Sequence, residues 1–129
     1  SHTQDAEFDI DSVHTLPRVD IAYAYAGADG LLVRALVEAG VAGIVAGGLG
    51  SGGSPSKMMA ALKTATQSGI PVVIATQTGN GRVVRTRRYD EDGYIVADNL
   101  SPKKTRILLM LALTKTKDPE EIQRMMLTY

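Results

Sequence analysis

Short apolar segments typical of buried strands alternate along this chain with segments of helical periodicity, and this alternation limits the fold more than any other feature. Three strands are predicted at residues 19–26 (VDIAYAYA), 41–48 (VAGIVAGG) and 70–76 (IPVVIAT). One or two further short strands are predicted, RVVR at residues 82–85 and YIVA at residues 94–97. Strands that alternate with helices at short spacing form a parallel sheet with right-handed crossovers. We therefore predict the α/β class, as a small three-layer domain whose parallel sheet of about four strands is flanked by about four helices.

The predicted helices have recognisable starting signals. Asp29 precedes the first apolar stripe of helical spacing, and Gly40 marks the end of that helix. A Ser-Pro or Asp-Pro pair, which combines an N-cap with a proline at the first helical position, opens each of the others, at residues 54–55, 101–102 and 118–119. Residues 107–113 are apolar almost all round, which predicts a helix buried on more than one side.

Length and composition favour one folded domain. The chain has 129 residues, 44% of them hydrophobic, which is enough for a core. Residues 1–18 lack a sustained period and are predicted to be an interdomain linker or N-terminal arm, which leaves residues 19–129 as the domain. With 14 basic and 14 acidic residues the net charge is zero, so we predict neither a nucleic-acid partner nor a membrane partner. The polar, acidic N-terminus does not resemble a secretory signal, so we expect a cytosolic protein or a signal upstream of this chain.

A glycine-rich loop follows the second predicted strand. Gly48, Gly50 and Gly53 satisfy the G-x-G-x-x-G pattern of dinucleotide-binding folds. Such sites also need an acidic residue at the end of the next strand, and that strand here ends in ATQTGNG, without an acid. A tight turn between strand and helix is therefore favoured, while an anion- or nucleotide-binding loop stays open as an alternative.

Other reactive constellations are absent from the sequence. There is no cysteine, and the two histidines, His2 and His14, lie in the predicted arm without a ligand cluster nearby. Ser51 does not stand in a nucleophile elbow, because Leu49 occupies the place of the first glycine. We predict no metal site and no cofactor, and the residues alone indicate no complete active site; nothing in the sequence favours a Ser-His-Asp triad.

Several separate motifs, in order, resemble one family. They are the Y-x-Y-A strand end, the glycine loop, the L-x-P-x-K-x-R-x-L-L helix and the terminal T-K-D-P-x-x-I helix. Together they closely resemble the C-terminal domain of bacterial type II L-asparaginases, and the likeness covers nearly the whole chain. The resemblance implies a two-domain amidohydrolase, usually a homotetramer, that hydrolyses L-asparagine to L-aspartate and ammonia. It further implies a threonine nucleophile, helped by a second threonine with an aspartate and a lysine, that forms an acyl-enzyme.

The resemblance also indicates what this chain lacks. The family's threonine motifs, of the T-G-G-T-I and T-D-T type, belong to the N-terminal domain, and neither string occurs in these 129 residues. We therefore expect a fragment without the nucleophile, inactive by itself, whose partner is the N-terminal catalytic domain. Type II resemblance favours the periplasm, and a cytoplasmic location stays open.

By resemblance, the C-terminal domain forms an edge of a neighbouring subunit's active site and helps to hold the ammonium group of the small amide substrate. Gly53 occupies the loop position where the family has Asn or Ser, and Ser51 and Ser54 flank it. Asp90 and Glu91 are the candidates for the family's acid beyond the next strand. The alternatives are a stand-alone anion- or nucleotide-binding module and a structural or oligomerisation domain of a parent that has lost catalysis.

Overall fold

The computed structural model describes residues 16–23, 29–47, 56–75, 93–97 and 100–128. Within these ranges the chain forms four strands and four helices. The strands are β1 (Val19–Tyr23), β2 (Gly43–Gly47), β3 (Val72–Ile74) and β4 (Ile95–Val96), and the helices are α1 (Leu31–Ala39), α2 (Ser56–Gln67), α3 (Pro102–Ala112) and α4 (Pro119–Thr128). The predicted α/β class is confirmed. The predicted strand at residues 82–85 lies outside the described residues.

The four strands form one parallel sheet in the order β1-β2-β3-β4. The register pairs Val19 with Gly43, Ile44 with Val72, and Ile74 with Val96. β2, β3 and β4 are buried throughout, as expected of apolar strands that are covered on both faces. Because the strand order follows the chain without reversal, the described strands have no topological switch point, the place where doubly wound folds bind dinucleotides.

Two helical layers cover the sheet, one on each face. α1 and α2 pack with one set of strand side chains, which includes Ile44, Ile74 and Val96. α3 and α4 pack with the alternate set, which includes Val45, Val73 and Ile95. Alternation of side chains along each strand divides the apolar residues between the two faces. The predicted three-layer arrangement therefore has a core on each side of the sheet.

The first helix ends as predicted and begins one residue later than predicted. Gly40 has a φ of +76°, and its N–H donates to the carbonyl oxygens of Leu36 and Val37. The N-cap of α1 is Gly30 and not Asp29, whose carboxylate accepts the N–H of Leu31 at 3.0 Å. Asp29 therefore stabilises the entry to α1 through a side-chain turn rather than as its cap.

Local capping signals near the end of the chain are confirmed. Ser101 Oγ accepts the N–H of Lys104 at 3.3 Å, and Pro102 is the first residue of α3. At the start of α4, Asp118 Oδ1 accepts the N–H of Glu120 at 3.1 Å. The predicted Ser-Pro start of α2, residues 54–55, lies outside the described residues.

The prediction that residues 107–113 are buried on more than one side is confirmed for most of the segment. α3 contacts β1 and β2 on its sheet side and α4 beside it, and Leu109, Met110 and Ala112 are buried. Ile107 is the exception, since it is 53% exposed on the outer face of the helix. Among the described helices, none is long and apolar enough to cross a membrane.

Candidate functional site at the carboxyl edge of the sheet

The described strands all run in the same direction, so their carboxyl ends lie along one edge of the sheet. We call the residues Tyr23, Gly47, Ala75 and Ala97, which lie at the ends of β1 to β4, the carboxyl edge. Ligands of open α/β sheets bind outside this edge, because the loops that follow the strands converge there. It is therefore the first place to look for a functional site.

Three residues pack tightly at one end of the carboxyl edge. A Cβ atom added to Gly47 would lie 3.1 Å from Pro102 Cγ and 3.3 Å from Tyr23 Cε1. Both distances are shorter than ordinary van der Waals contacts, so a side chain at this position would displace Tyr23 or the start of α3. Gly47 thereby lets the Tyr23 ring and Pro102 close over the end of β2. Sequence reasoning missed this cluster, since its members lie far apart in the chain.

The other end of the carboxyl edge, formed by β3 and β4, carries small apolar side chains. Ala75 and Ala97 are both fully buried. Ala97 N–H donates to the carbonyl oxygen of Ile74 at 2.9 Å, and its own carbonyl accepts the N–H of Leu100 at 3.1 Å. The first of these bonds continues the pairing of β3 with β4. Ala75 and Ala97 therefore supply small apolar side chains and no reactive group at this end of the edge.

An apolar cavity of about 330 Å³ adjoins the carboxyl edge between β1, α1 and α2. Tyr23, Leu31, Leu32 and Met58 belong to its lining, and Asp29 is the one carboxylate among the described lining residues. Leu31 is 67% exposed and Leu32 51% exposed. Adjacent exposed leucines beside an apolar cavity are typical of a contact surface, whereas single exposed apolar residues are ordinary on a protein surface.

The five substrate-edge residues predicted from the sequence, Ser51, Gly53, Ser54, Asp90 and Glu91, lie outside the described residues. The glycine loop joins the end of β2 to α2, so its first residue follows the carboxyl edge directly. In the sequence, Asp90 and Glu91 stand between β3 and β4. The five residues stay predictions.

The described residues offer little for catalysis on their own. Ser101 lies at the start of α3 near the carboxyl edge, but its hydroxyl oxygen accepts the N–H of Lys104 and so caps the helix. Across the five described ranges there is no group of three or more His, Asp or Glu side chains that could hold a metal ion. The described residues can therefore form the base of a site.

Comparison with known proteins identifies the family to which this chain belongs. The model of the glutaminase/asparaginase C-terminal domain matches residues 18–126. The chain is 40% identical to a glutaminase-asparaginase of Pseudomonas fluorescens biotype A, in an alignment that covers 99% of this chain and 36% of the relative. It is 42% identical to the L-asparaginase 2 of Bacillus subtilis (strain 168), over 95% of this chain and 32% of the relative.

A solved structure gives the same result. The crystal structure of a probable cytoplasmic L-asparaginase from Campylobacter jejuni superimposes with a TM-score of 0.92 and 39% identity, over 100% of this chain and 42% of that one. Similarity at this level of identity extends beyond the fold to the domain family. The chain thus spans less than half the length of these relatives, from 32% to 42%.

Proposed function

Since the chain belongs to the family of glutaminase/asparaginase C-terminal domains, we propose that it is the non-catalytic part of an amidohydrolase that converts L-asparagine and water to L-aspartate and ammonia. The observation that supports this most directly is the match of the glutaminase/asparaginase C-terminal domain to residues 18–126, in a chain that spans 32% to 42% of the relatives described above. Neither T-G-G-T-I nor T-D-T occurs in the sequence. The threonine nucleophile then comes from an N-terminal domain, with residues 1–18 as the linker.

In the assembled enzyme, the carboxyl edge and its loops border the active site of a neighbouring subunit. Ser51 and Ser54, on either side of Gly53, supply hydroxyl groups from the glycine loop. Asp90 or Glu91 supplies a carboxylate for the ammonium group of the substrate. A carboxylate within about 4 Å of an ammonium group in a site closed to water gives strong and selective attraction. These residues act on substrate binding and not on acyl transfer.

The surface beside the carboxyl edge contacts the N-terminal domain of a second copy in this proposal. Leu31 and Leu32 project from α1 next to the apolar cavity, and Tyr23 joins that cavity to the carboxyl edge. A contact there removes two leucines from water and brings the glycine loop to the partner's site. The chain therefore takes part in a homo-oligomer, in which the site is incomplete without the neighbouring subunit.

Ammonia release from L-asparagine tests the proposal. The 129-residue chain alone should give none, and the same chain translated together with the coding sequence upstream of Ser1 should give turnover. The upstream sequence should encode the two threonine motifs. Turnover by the 129-residue chain alone, or an upstream region without those motifs, would contradict the proposal. Stabilisation by a nucleotide that grows with its concentration would instead favour the nucleotide-binding alternative.

Substitutions in the longer protein then test the predicted substrate contact. Asp90→Asn and Glu91→Gln remove the two candidate carboxylates without changing size, and the one that holds the ammonium group should raise KM at least tenfold, the equivalent of about 1.4 kcal/mol. Asp92→Asn is the matched control and should leave KM unchanged. Equal KM values for all three variants would exclude this segment from the substrate site.

A further inference from the structure

Gln123 is a buried amide in α4, with only 2% of its surface exposed. Its Oε1 accepts the N–H of Val96 at 3.0 Å, and its Nε2 donates to the carbonyl oxygen of Val96 at 2.9 Å. Val96 belongs to β4, the outermost strand on its side of the described sheet. One side chain therefore takes up both backbone hydrogen-bonding groups of a strand residue, as a neighbouring strand would.

The two hydrogen bonds lie on the outer side of β4. Ala97 N–H donates inward, to the carbonyl oxygen of Ile74 on β3, at 2.9 Å. Backbone groups of successive strand residues point to opposite sides, so the N–H and C=O of Val96 point away from β3. That side is where a further strand would pair. Unpaired strand edges are the usual site of unwanted pairing between protein molecules.

The orientation of the amide is fixed by its partners. Val96 offers one donor and one acceptor, so only one of the two amide orientations satisfies both groups. Burial of an amide is unfavourable unless its polar atoms are paired, and here both Oε1 and Nε2 have a partner in Val96. The pair therefore sets the position of α4 on β4 as well as closing the strand.

We propose that Gln123 terminates the sheet. Its side chain occupies the hydrogen-bonding groups of Val96 that a neighbouring strand would use, and so prevents strands of other molecules, including a second copy of this chain, from pairing with β4. Closure depends on α4 staying docked, since the amide reaches Val96 from that helix. Sheet extension in any assembly of this domain is thereby excluded at β4. The role is independent of the reaction that the assembled enzyme performs.

A first variant, Gln123→Met, keeps the side-chain volume and removes both hydrogen bonds. Hydrogen exchange of the Val96 amide should accelerate about tenfold, as expected for the loss of roughly one hydrogen bond. Sedimentation velocity should then show association that grows with protein concentration. Gln67→Met is the matched control, because Gln67 is an exposed glutamine near the end of α2, and it should change neither measurement.

A second variant, Gln123→Glu, separates the hydrogen bonds from simple packing. A neutral carboxyl group reproduces both the donor and the acceptor, whereas the ionised group sets a charged oxygen against the Val96 carbonyl. Burial raises the pKa of the introduced carboxyl above its unfolded value. Its stabilising contribution is then complete below the unfolded pKa and is lost as pH rises through the folded pKa. The Tm difference from the unmodified chain should therefore shrink between about pH 8 and about pH 5.

No other ionisable side chain described on the neighbouring elements shares this buried position. β4 itself has none, and those of α3 and α4 are exposed or half-exposed: Lys103, Lys104, Arg106, Glu120, Glu121 and Arg124. Tyr94, next to β4, is buried on the opposite face, where its hydroxyl donates to the carbonyl oxygen of Met59. Gln67→Glu serves as the control and should show no recovery at low pH.

Several results would overturn the proposal. A Val96 amide that stays equally protected in Gln123→Met would show that the amide does not close the edge. A Gln123→Met chain that exchanges faster but stays monomeric at all concentrations would refute the protective role. If that variant does not fold, the comparison rests on Gln123→Glu, where a Tm difference that is independent of pH would refute the paired hydrogen bonds.

Discussion

The two helical layers bury similar apolar cores but differ in how they are joined to the sheet. On one face, α3 and α4 are attached by polar bonds as well as by packing: Arg106 Nε donates to the carbonyl oxygen of Val19 at 2.7 Å, and Gln123 binds both backbone groups of Val96. On the other face, the Tyr94 hydroxyl donates to the carbonyl oxygen of Met59 in α2 at 3.1 Å, while α1 packs through its apolar stripe and leaves Leu31 and Leu32 exposed beside a cavity.

Among the described residues, polar bonds to the sheet are therefore more numerous in the layer of α3 and α4, although Ile107 and Leu127 on that layer are also more than half exposed. Bonds from α3 and α4 reach the two outermost strands, β1 and β4, so this layer closes the sheet within the chain itself. The layer of α1 and α2 adjoins the carboxyl edge with apolar surface that water contacts in the isolated chain. We infer that the first layer maintains the domain and that the second carries the contact surface of the proposed assembly.

The largest effect is expected from equal truncations in the two cores. Leu62 in α2 and Leu109 in α3 are both fully buried. Leu62→Ala and Leu109→Ala should each lower the free energy of unfolding by about 2 to 5 kcal/mol, as measured by urea denaturation. Similar losses would mean that the two cores contribute equally to stability, so that the layers differ only in their surfaces and polar bonds. A loss confined to one variant would mean that the cores themselves differ.

A smaller effect is expected at two glycines where helices approach closely. A Cβ on Gly30 would lie 2.7 Å from Ala61 Cβ, an atom that cannot move without α2. A Cβ on Gly43 would lie 2.9 Å from Leu109 Cδ2, the mobile end of a side chain. Gly30→Ala should therefore cost about 1 to 3 kcal/mol of stability, and Gly43→Ala less. The reverse order would mean that the layer of α3 is the more rigid of the two.

The smallest effect on the isolated chain is expected at the exposed leucines. Replacing Leu31 and Leu32 together with Ser should change its free energy of unfolding by no more than about 1 kcal/mol per site, because the two side chains are already 67% and 51% exposed. The same double substitution should weaken assembly of the longer protein, measured by sedimentation equilibrium. Ile107→Ser, on the outer face of α3, is the control and should leave assembly intact.

Local signals could be predicted from the sequence, and contacts between distant segments could not. Ser101 and Gly40 act on residues within one helical turn, so their roles follow from the pattern alone. The pairing of Gln123 with Val96 spans 27 residues. Helical periodicity assigns buried positions to apolar residues, so it does not predict this pair. A glutamine inside the apolar stripe of α4 was the signal that could have revealed it.

The candidate site was predictable only in part, for the same reason. Parallel strands place the starts of two loops at one edge, and that placement follows from the alternation of strands and helices. The packing of Tyr23 and Pro102 over Gly47 depends on three distant segments that meet only in the folded chain. Asp90 and Glu91 lie outside the described residues, so their predicted role rests on the family resemblance.

Hydrogen exchange on assembly tests the contrast between the layers most directly. The 129-residue chain and the longer protein with its N-terminal domain would be compared by mass spectrometry, peptide by peptide. We expect slower exchange in the longer protein at the start of α1, around Leu31 and Leu32, and unchanged exchange across α3 and α4. Protection confined to α3 and α4, with α1 unchanged, would contradict the claim that the layer of α1 and α2 faces the rest of the enzyme.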